Sequence, residues 1–264
     1  MQALRHYLLA LQFFTRIPVT GRLAAWVGYS PALLNASAGH FPGVGWVVGA
    51  WGAGVLWVVL AWLPSGPLAA LVAAGLSTAA TAWLTGAFHE DGLADTLDGL
   101  GGSADRERAL AIMKDSRIGS YGTLGLLLVL LLKVALLALL ARHGEVSVAA
   151  ALLAAHVLSR LAPLGVMVAL PYVSEEAGSK SKPLAEEAGI ATVLAGLAWS
   201  LPALLLLAWR LGVPALGTAL LLSLLALAAM LRLLRRRLQG FTGDTLGATQ
   251  QLCELALYLG LASA

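Results

Sequence analysis

Long uninterrupted apolar runs constrain this chain more than any other feature. LLLVLLLKVALLALLA at 126–141 and LGTALLLSLLALAAMLRLL at 216–234 are two of several. Runs of about 20 apolar residues are long enough to cross a bilayer as helices. In lipid every backbone amide and carbonyl must find its partner inside the segment, which favours helices over open strands. With only 12% of its residues charged, the chain lacks the polar surface that a soluble domain of this size needs. The expected fold is therefore all-α: a polytopic transmembrane helix bundle, one membrane domain over 1–264. Six or seven spans fit, at roughly 42–63, 67–88, 121–141, 146–170, 190–209, 213–231 and 246–262. Proline and glycine punctuate their ends at Pro64–Gly66, Gly119–Gly122, Pro171, Pro183 and Gly212–Pro214. The apolar stretch within MQALRHYLLALQFFTRIP is too short to span and has no convincing small-residue cleavage site, so it reads as an amphipathic helix lying at the interface. A single cysteine, Cys253, excludes an internal disulfide and a thiolate metal cage.

Charge placement sets the topology. If the N-terminus is cytoplasmic, segments 1–41, 89–120, 171–189 and 232–245 face the same side. They hold Arg5, Arg16, Arg22, Arg106, Arg108, Lys114, Arg117, Lys180, Lys182, Arg232 and Arg235–Arg237. Arg142 and Arg210 alone fall outside, and Lys133 and Arg160 lie within spans. Basic residues on the cytoplasmic side are the usual signature of orientation, so the net charge of +3 points to topology and not to nucleic acid. Most of the acids lie in the same segments. In the first span Gly45, Gly49 and Ala53, four apart, give a small-residue face for close helix packing.

The densest polar stretch is FHEDGLADTLDGLGG at 88–102. Asp91, Asp95 and Asp98 stand at i, i+4 and i+7, within a helical stripe of about 60°. Burying three carboxylates at mid-membrane would cost about 8–10 kcal/mol; at the rim the cost is smaller but the repulsion stays. A hard divalent cation such as Mg²⁺, which takes carboxylate and phosphate oxygens, resolves it. Gly92 and Gly99 each follow an aspartate. Glycine within a helix costs about 1 kcal/mol relative to alanine, so something bulky is expected beside the backbone at both. Downstream, GGSADRERALAIMKDSRIGSYG alternates acids and bases like a surface helix, and Lys114 and Arg117 are the candidate phosphate contacts within it. FTGDTLGATQQLCE places Asp244 at the head of the last span and Glu254 inside it, where a carboxylate is a functional candidate. His156 and Arg160 share a face of the fourth span, and Asp244 or Glu254 is the expected partner of Arg160.

FFTRIP (13–18), HFPGVGW (40–46), the acidic motif, MKDSRIGSYG (113–122) and GFTGDTLGATQQLCE (240–254) occur in order. Together they closely resemble the cobalamin synthase family, the adenosylcobinamide-GDP ribazoletransferases, from about residue 8 to residue 254. The resemblance implies a multi-pass enzyme of the bacterial inner membrane, Mg²⁺-dependent, with its N-terminus and active-site loops, chiefly 89–120, in the cytoplasm. It implies joining of adenosylcobinamide-GDP to α-ribazole or its 5′-phosphate, with release of GMP. The implied partners are the corrinoid nucleotide, the ribazole and membrane lipid; a second copy of the chain or other enzymes of nucleotide-loop assembly are further candidates. The family's acidic motif falls on His89, Asp91, Gly92, Asp95 and Asp98, and its TGD motif on Thr242, Gly243 and Asp244; Glu90 is left without a role. On this reading Asp91, Asp95 and Asp98 hold metal, and Asp95 or Asp98 takes the proton of the attacking hydroxyl. His89, Gly92, Gly99, Lys114, Arg117, Arg160, Thr242, Asp244 and Glu254 contact substrate.

Two other readings compete. CDP-alcohol phosphotransferases carry aspartates at similar spacing, but DGLAD here has Asp95 where their pattern calls for arginine. A transporter would concentrate charge near mid-bilayer, and only Glu254 and Arg160 point that way.

Overall fold

The computed structural model describes residues 1–173 and 189–263; the expectations for Lys180, Lys182 and Pro183 lie outside the described residues. Among the described residues no strand forms, and the one bridge pairs Tyr172 with Phe241. The helices are α1 (Gln2–Phe14), α2 (Gly21–Val27), α3 (Pro31–Ser37), α4 (Phe41–Trp62), α5 (Pro67–Thr85) and α6 (Phe88–Gly102). They continue as α7 (Arg106–Met113), α8 (Ser120–Leu140), α9 (Glu145–Ser159), α10 (Ala162–Ala169), α11 (Ile190–Arg237) and α12 (Gly243–Ala262). Five helical stretches are long and apolar enough to cross a membrane: Pro31–Trp62, Pro67–Thr85, Ser120–His143, Glu145–Ala169 and Ile190–Arg237. Leu124, Leu127, Leu128, Leu131 and Leu132 of α8 and Trp57, Trp62, Trp83 and Trp209 are exposed, as a lipid-facing surface requires.

Four expected spans differ from the observed helices. The 48-residue α11 breaks at Gly212 (φ 87°), a backbone conformation open to glycine and costly for other residues. Its two limbs run side by side, since Gly196 packs on Leu164 while Leu227 reaches Gly165. They correspond to the spans expected at 190–209 and 213–231, with the second continuing to Arg237. The span expected over 67–88 stops at Thr85, because Gly86 (φ 66°) and Ala87 (φ 57°) are both left-handed. The acidic helix α6 is thus a separate element and not the end of a span. The fourth is interrupted at Arg160–Leu161, between α9 and α10.

Gly45 and Gly49 pack as their spacing predicts. A Cβ on Gly49 would sit 2.8 Å from Leu153 Cα, and one on Gly45 would meet the backbone of His156 and Val157. Backbone-to-backbone contact at this range is open only to glycine, so α4 and α9 form the tightest pair at the bundle centre. Several basic residues that set the topology also cap carbonyls at the polar end. Arg5 donates to Val27 O, Arg106 Nε to Leu238 O at 2.7 Å, and Arg237 to Leu100 O and Ser103 O. Helix C-termini leave such carbonyls without helical partners, and guanidinium groups with long stems reach them. These contacts tie α6, α7 and the end of α11 together around the acidic helix.

Candidate active site

The site is built where α6 meets the start of α12. A reciprocal cap fixes α12: Thr242 Oγ1 accepts from Thr245 N, and Thr245 Oγ1 accepts from Thr242 N at 3.0 Å. This capping box satisfies two amides that a helix start leaves open and holds Asp244 in the first turn. A Cβ on Gly92 would lie 2.7 Å from Asp244 O and 3.0 Å from Asp244 Cα, and one on Gly247 would lie 3.2 Å from His89 O. Two glycines, one on each helix, therefore let the backbones touch. The bulky group expected beside Gly92 is the chain's own TGD segment. Beside Gly99 it is the side chain of Met113 and the carbonyl of Ala109, so α7 fills that space.

The crossing sets Asp244 among the carboxylates of α6. Burial first, then the charges of Asp91, Asp244 and Asp98, push Asp95 up to about 7. Asp244 is also raised, chiefly by burial and in smaller part by Asp91, against hydrogen bonds from the Thr242 hydroxyl and its own amide. Among the described residues every charge that shifts Asp95 is negative, so these acids crowd one another. Asp98 stands apart. One of its oxygens accepts from Gly119 N at 2.6 Å and the other from Gly122 N at 2.8 Å. It is 7% exposed and caps the N-terminus of α8, where the helix dipole and free amides favour an anion.

The residues present fit Mg²⁺ by chemistry: the exposed carboxylate of Asp91 and the half-buried ones of Asp95 and Asp244, beside a cavity open enough for phosphate oxygens. Among the described residues no three His, Cys, Asp or Glu side chains converge as a ready-made metal cage. That is consistent with an ion whose remaining ligands are water and substrate. The adjoining cavity, about 350 Å³, is lined by Arg106, Glu107, Lys114, Thr242 and Asp244 among others. Lys114 thus reaches the same space as Asp244. Arg117 does not line it; its guanidinium is 86% exposed and pairs with Asp115 at 2.6 Å, a pairing that holds the Asp115 carboxyl down at about 2.

Deeper in the bundle lies a second polar group. Glu254, 1% exposed, pairs with Lys133 Nζ at 2.7 Å. It also accepts from Gln250 Nε2 at 2.8 Å and from the Tyr258 hydroxyl at 3.1 Å. Gln250 also donates to Ser159, and Gln251 donates to Gln250 and to Glu90 Oε1 at 3.2 Å. Arg160 Nη1 donates to the His156 carbonyl at 2.7 Å and lies 3.2 Å from His156 Nδ1. The side chains of His156 and Arg160 do face the same way, but among the described residues the close ion pair of Glu254 is with Lys133 and not with Arg160, whose hydrogen bonds go to His156. The oxygens of Glu254 are engaged within the protein.

A family model described as cobalamin-5-phosphate synthase matches residues 6–262. The chain belongs to the cobalamin-5-phosphate synthase family. It is 58% identical to the adenosylcobinamide-GDP ribazoletransferase of Albidiferax ferrireducens, covering 99% of this chain and 98% of that one. A Polaromonas enzyme of the same name is 57% identical over 99% and 97% of the two chains. One from Shewanella is 42% identical over 97% and 92%. No solved structure matches.

The sequence placed Asp91, Asp95 and Asp244 on helices but had no means to bring the third beside the first two. It missed Lys133, which looked like one charge stranded in a leucine run. The available signal was that another buried charge, Glu254, needed an opposite. It also left Glu90 open; Glu90 is 6% exposed, hydrogen-bonded to Gln251, and its Oε2 has no partner among the described residues.

Proposed function

We propose that this chain transfers the phosphoryl-linked corrinoid of adenosylcobinamide-GDP to α-ribazole or its 5′-phosphate, releasing GMP, at the α6–α12 crossing on the cytoplasmic face of the bacterial inner membrane. The carrying observation is the crowding of Asp91, Asp95 and Asp244 beside a cavity that also holds Lys114 and Thr242, in a chain of this family. In the reaction a ribose hydroxyl oxygen bonds to the phosphorus attached to the corrinoid. The bond from that phosphorus to the bridging oxygen breaks, GMP leaves with the electron pair, and the hydroxyl proton passes to a base. Such transfers are catalysed mainly by positioning and charge stabilisation.

Asp91 and Asp244 would hold Mg²⁺ here, and the ion would supply neutralisation of the diphosphate and of the leaving GMP. Lys114 lies where it can contact a phosphate oxygen. Asp95 is the better base of the two candidates from sequence. Its carboxyl takes a proton near neutrality, as an efficient general base does, whereas both Asp98 oxygens already accept from amides. The clustering of Arg5, Arg16, Arg106 and Arg237 at the same end as α6 supports the cytoplasmic orientation. The test is GMP release from adenosylcobinamide-GDP and α-ribazole by the full chain in vesicles, with MgCl₂ or with chelator. Turnover that survives chelation removes the metal assignment. CDP-alcohol conversion without corrinoid turnover replaces the substrate class.

A further inference from the structure

The two helices that cross at the site are held in different ways. The start of α12 is fixed by the reciprocal cap of Thr242 and Thr245. The start of α6 follows Ala87, a left-handed residue with no capping side chain. Further along, Asp98 pins α6 to α8 through the amides of Gly119 and Gly122. The crossing with α12 is made by glycines: Gly92 against the backbone of Asp244, and Gly247 against that of His89. Small residues let two helices come close, but they carry no side chain that interlocks. They set the distance between α6 and α12 and leave the register to something else. A slip of one residue moves a helix about 1.5 Å along its axis and turns it about 100°. A misplacement of about 1 Å is enough to cost about 10²-fold in rate.

Glu90 supplies what the glycines lack. It lies on the buried side of α6, while its neighbour Asp91 is exposed. Its Oε1 accepts from Gln251 Nε2 of α12 at 3.2 Å. Gln251 also donates to Gln250 Oε1 at 3.0 Å, and Gln250 donates to Ser159 and to Glu254, each at 2.8 Å. Glu254 closes the chain on Lys133 of α8. Every member is buried, Glu90 being the most exposed at 6%. A buried polar bond is directional, and a slipped register would leave its donor and acceptor unmatched in an apolar interior. Buried polar side chains fix the register of packed helices in this way.

We infer that Glu90 is a positioning residue: its hydrogen bond from Gln251 sets the register of α6 on α12, and with it the placing of Asp91 and Asp95 against Asp244. The consequence for turnover rests on the transferase reading above. Glu90 itself touches no substrate on this account. It acts through the amides of Gln251 and Gln250, which the buried Glu254 and Lys133 hold in place.

The test uses the full chain in detergent micelles and reads the melting temperature, hydrogen exchange over residues 88–98, and kcat for GMP release. Glu90→Gln keeps an oxygen that accepts from Gln251, so it is expected to keep wild-type exchange and most of the turnover. Glu90→Leu and Gln251→Leu are each expected to speed exchange over 88–98 and to lower kcat about 10²-fold. The double variant Glu90→Leu/Gln251→Leu should fall no further than the lower single, because both remove one and the same bond. Leu137→Ala, a fully buried site at the other end of α8 from Gly122, controls for stability. It should lower the melting temperature and leave kcat in place. The inference is overturned if Glu90→Gln falls as far as Glu90→Leu, if the two losses multiply in the double variant, or if exchange over 88–98 is unchanged in Glu90→Leu. It is equally overturned if Leu137→Ala loses as much turnover for the same drop in melting temperature. A wild type that releases no GMP removes the transferase reading, and the exchange pattern then decides the register by itself. A wild type that turns over, matched by a folded Glu90→Leu, removes the register inference and leaves the transferase reading standing.

Discussion

Two sets of carboxylates in this molecule live under opposite electrostatic rules. Glu254 is buried in the bundle and compensated from every side: Lys133 at 2.7 Å, Gln250 at 2.8 Å and Tyr258 at 3.1 Å. Asp95, less buried, has Asp91, Asp244 and Asp98 as the charges that shift it. A bundle pays for a buried charge with a built partner, so Glu254 reads as a joint between α8, α9 and α12. Carboxylates left crowded beside a cavity read as waiting for a ligand of opposite charge. The difference teaches that burial alone does not mark a functional acid; the absence of compensation does.

The sharpest way to break this comparison is to remove compensation from the first set. Lys133→Met should destabilise the folded chain by about 3–5 kcal/mol by stranding Glu254. The double variant Lys133→Met/Glu254→Gln should recover most of that loss. Unfolding in micelles reads both, and a double variant no better than the single would sever the pairing from stability.

At the second set the expected loss is catalytic. Asp91→Asn and Asp95→Asn should each reduce turnover about 10²-fold or more while leaving melting temperatures at or above wild type, because repulsion is relieved. Unchanged turnover in either variant at saturating MgCl₂ would return that residue to a surface role.

The electrostatics of Asp95 give a pH signature. The carboxyl holds its proton to about 7 in the folded chain against an ordinary value of 3.8. Protonation therefore favours the folded state. Its stabilising contribution is fully present below 3.8 and is lost as the pH rises through 7. MgCl₂ should accordingly raise the melting temperature by a few degrees at pH 8 and little at pH 5, with Asp95→Asn flattening the contrast. A magnesium response equal at both pH values would break the link between crowding and cation.

The smallest effect is expected at Arg117. Its exposed pair with Asp115 is screened by solvent and contributes little to stability. Arg117→Ala should leave stability unchanged and shift the KM for adenosylcobinamide-GDP less than about threefold, whereas Lys114→Ala, on the charged cavity, should shift it more.

Much of this was legible in the sequence, and what was not has definite causes. Apolar run length announced the helices, and glycine spacing announced a close-packing face on α4 without naming α9 as its partner, because both depend on residues close in sequence. The break at Gly86–Ala87 was not legible, since alanine rarely adopts a left-handed conformation and gives no warning. Asp98 shared a helical stripe with Asp91 and Asp95, and only the arrival of α8, with the amides of Gly119 and Gly122, separated its role from theirs.

By itself the sequence determined that this chain has helices apolar enough to cross a membrane and that most of its charges lie in a few segments, and it singled out Asp91, Asp95, Asp98 and Asp244 as candidates. Those conclusions follow from hydropathy, local spacing and motif, which act over a few turns of helix. Tertiary structure alone decided that Lys133 answers Glu254, that Asp98 caps α8, and that six aromatic rings and Arg160 line one small cavity at the start of α12. Each is a contact between helices far apart in the chain. The free energy of such a contact depends on distance and burial, neither of which a linear pattern carries.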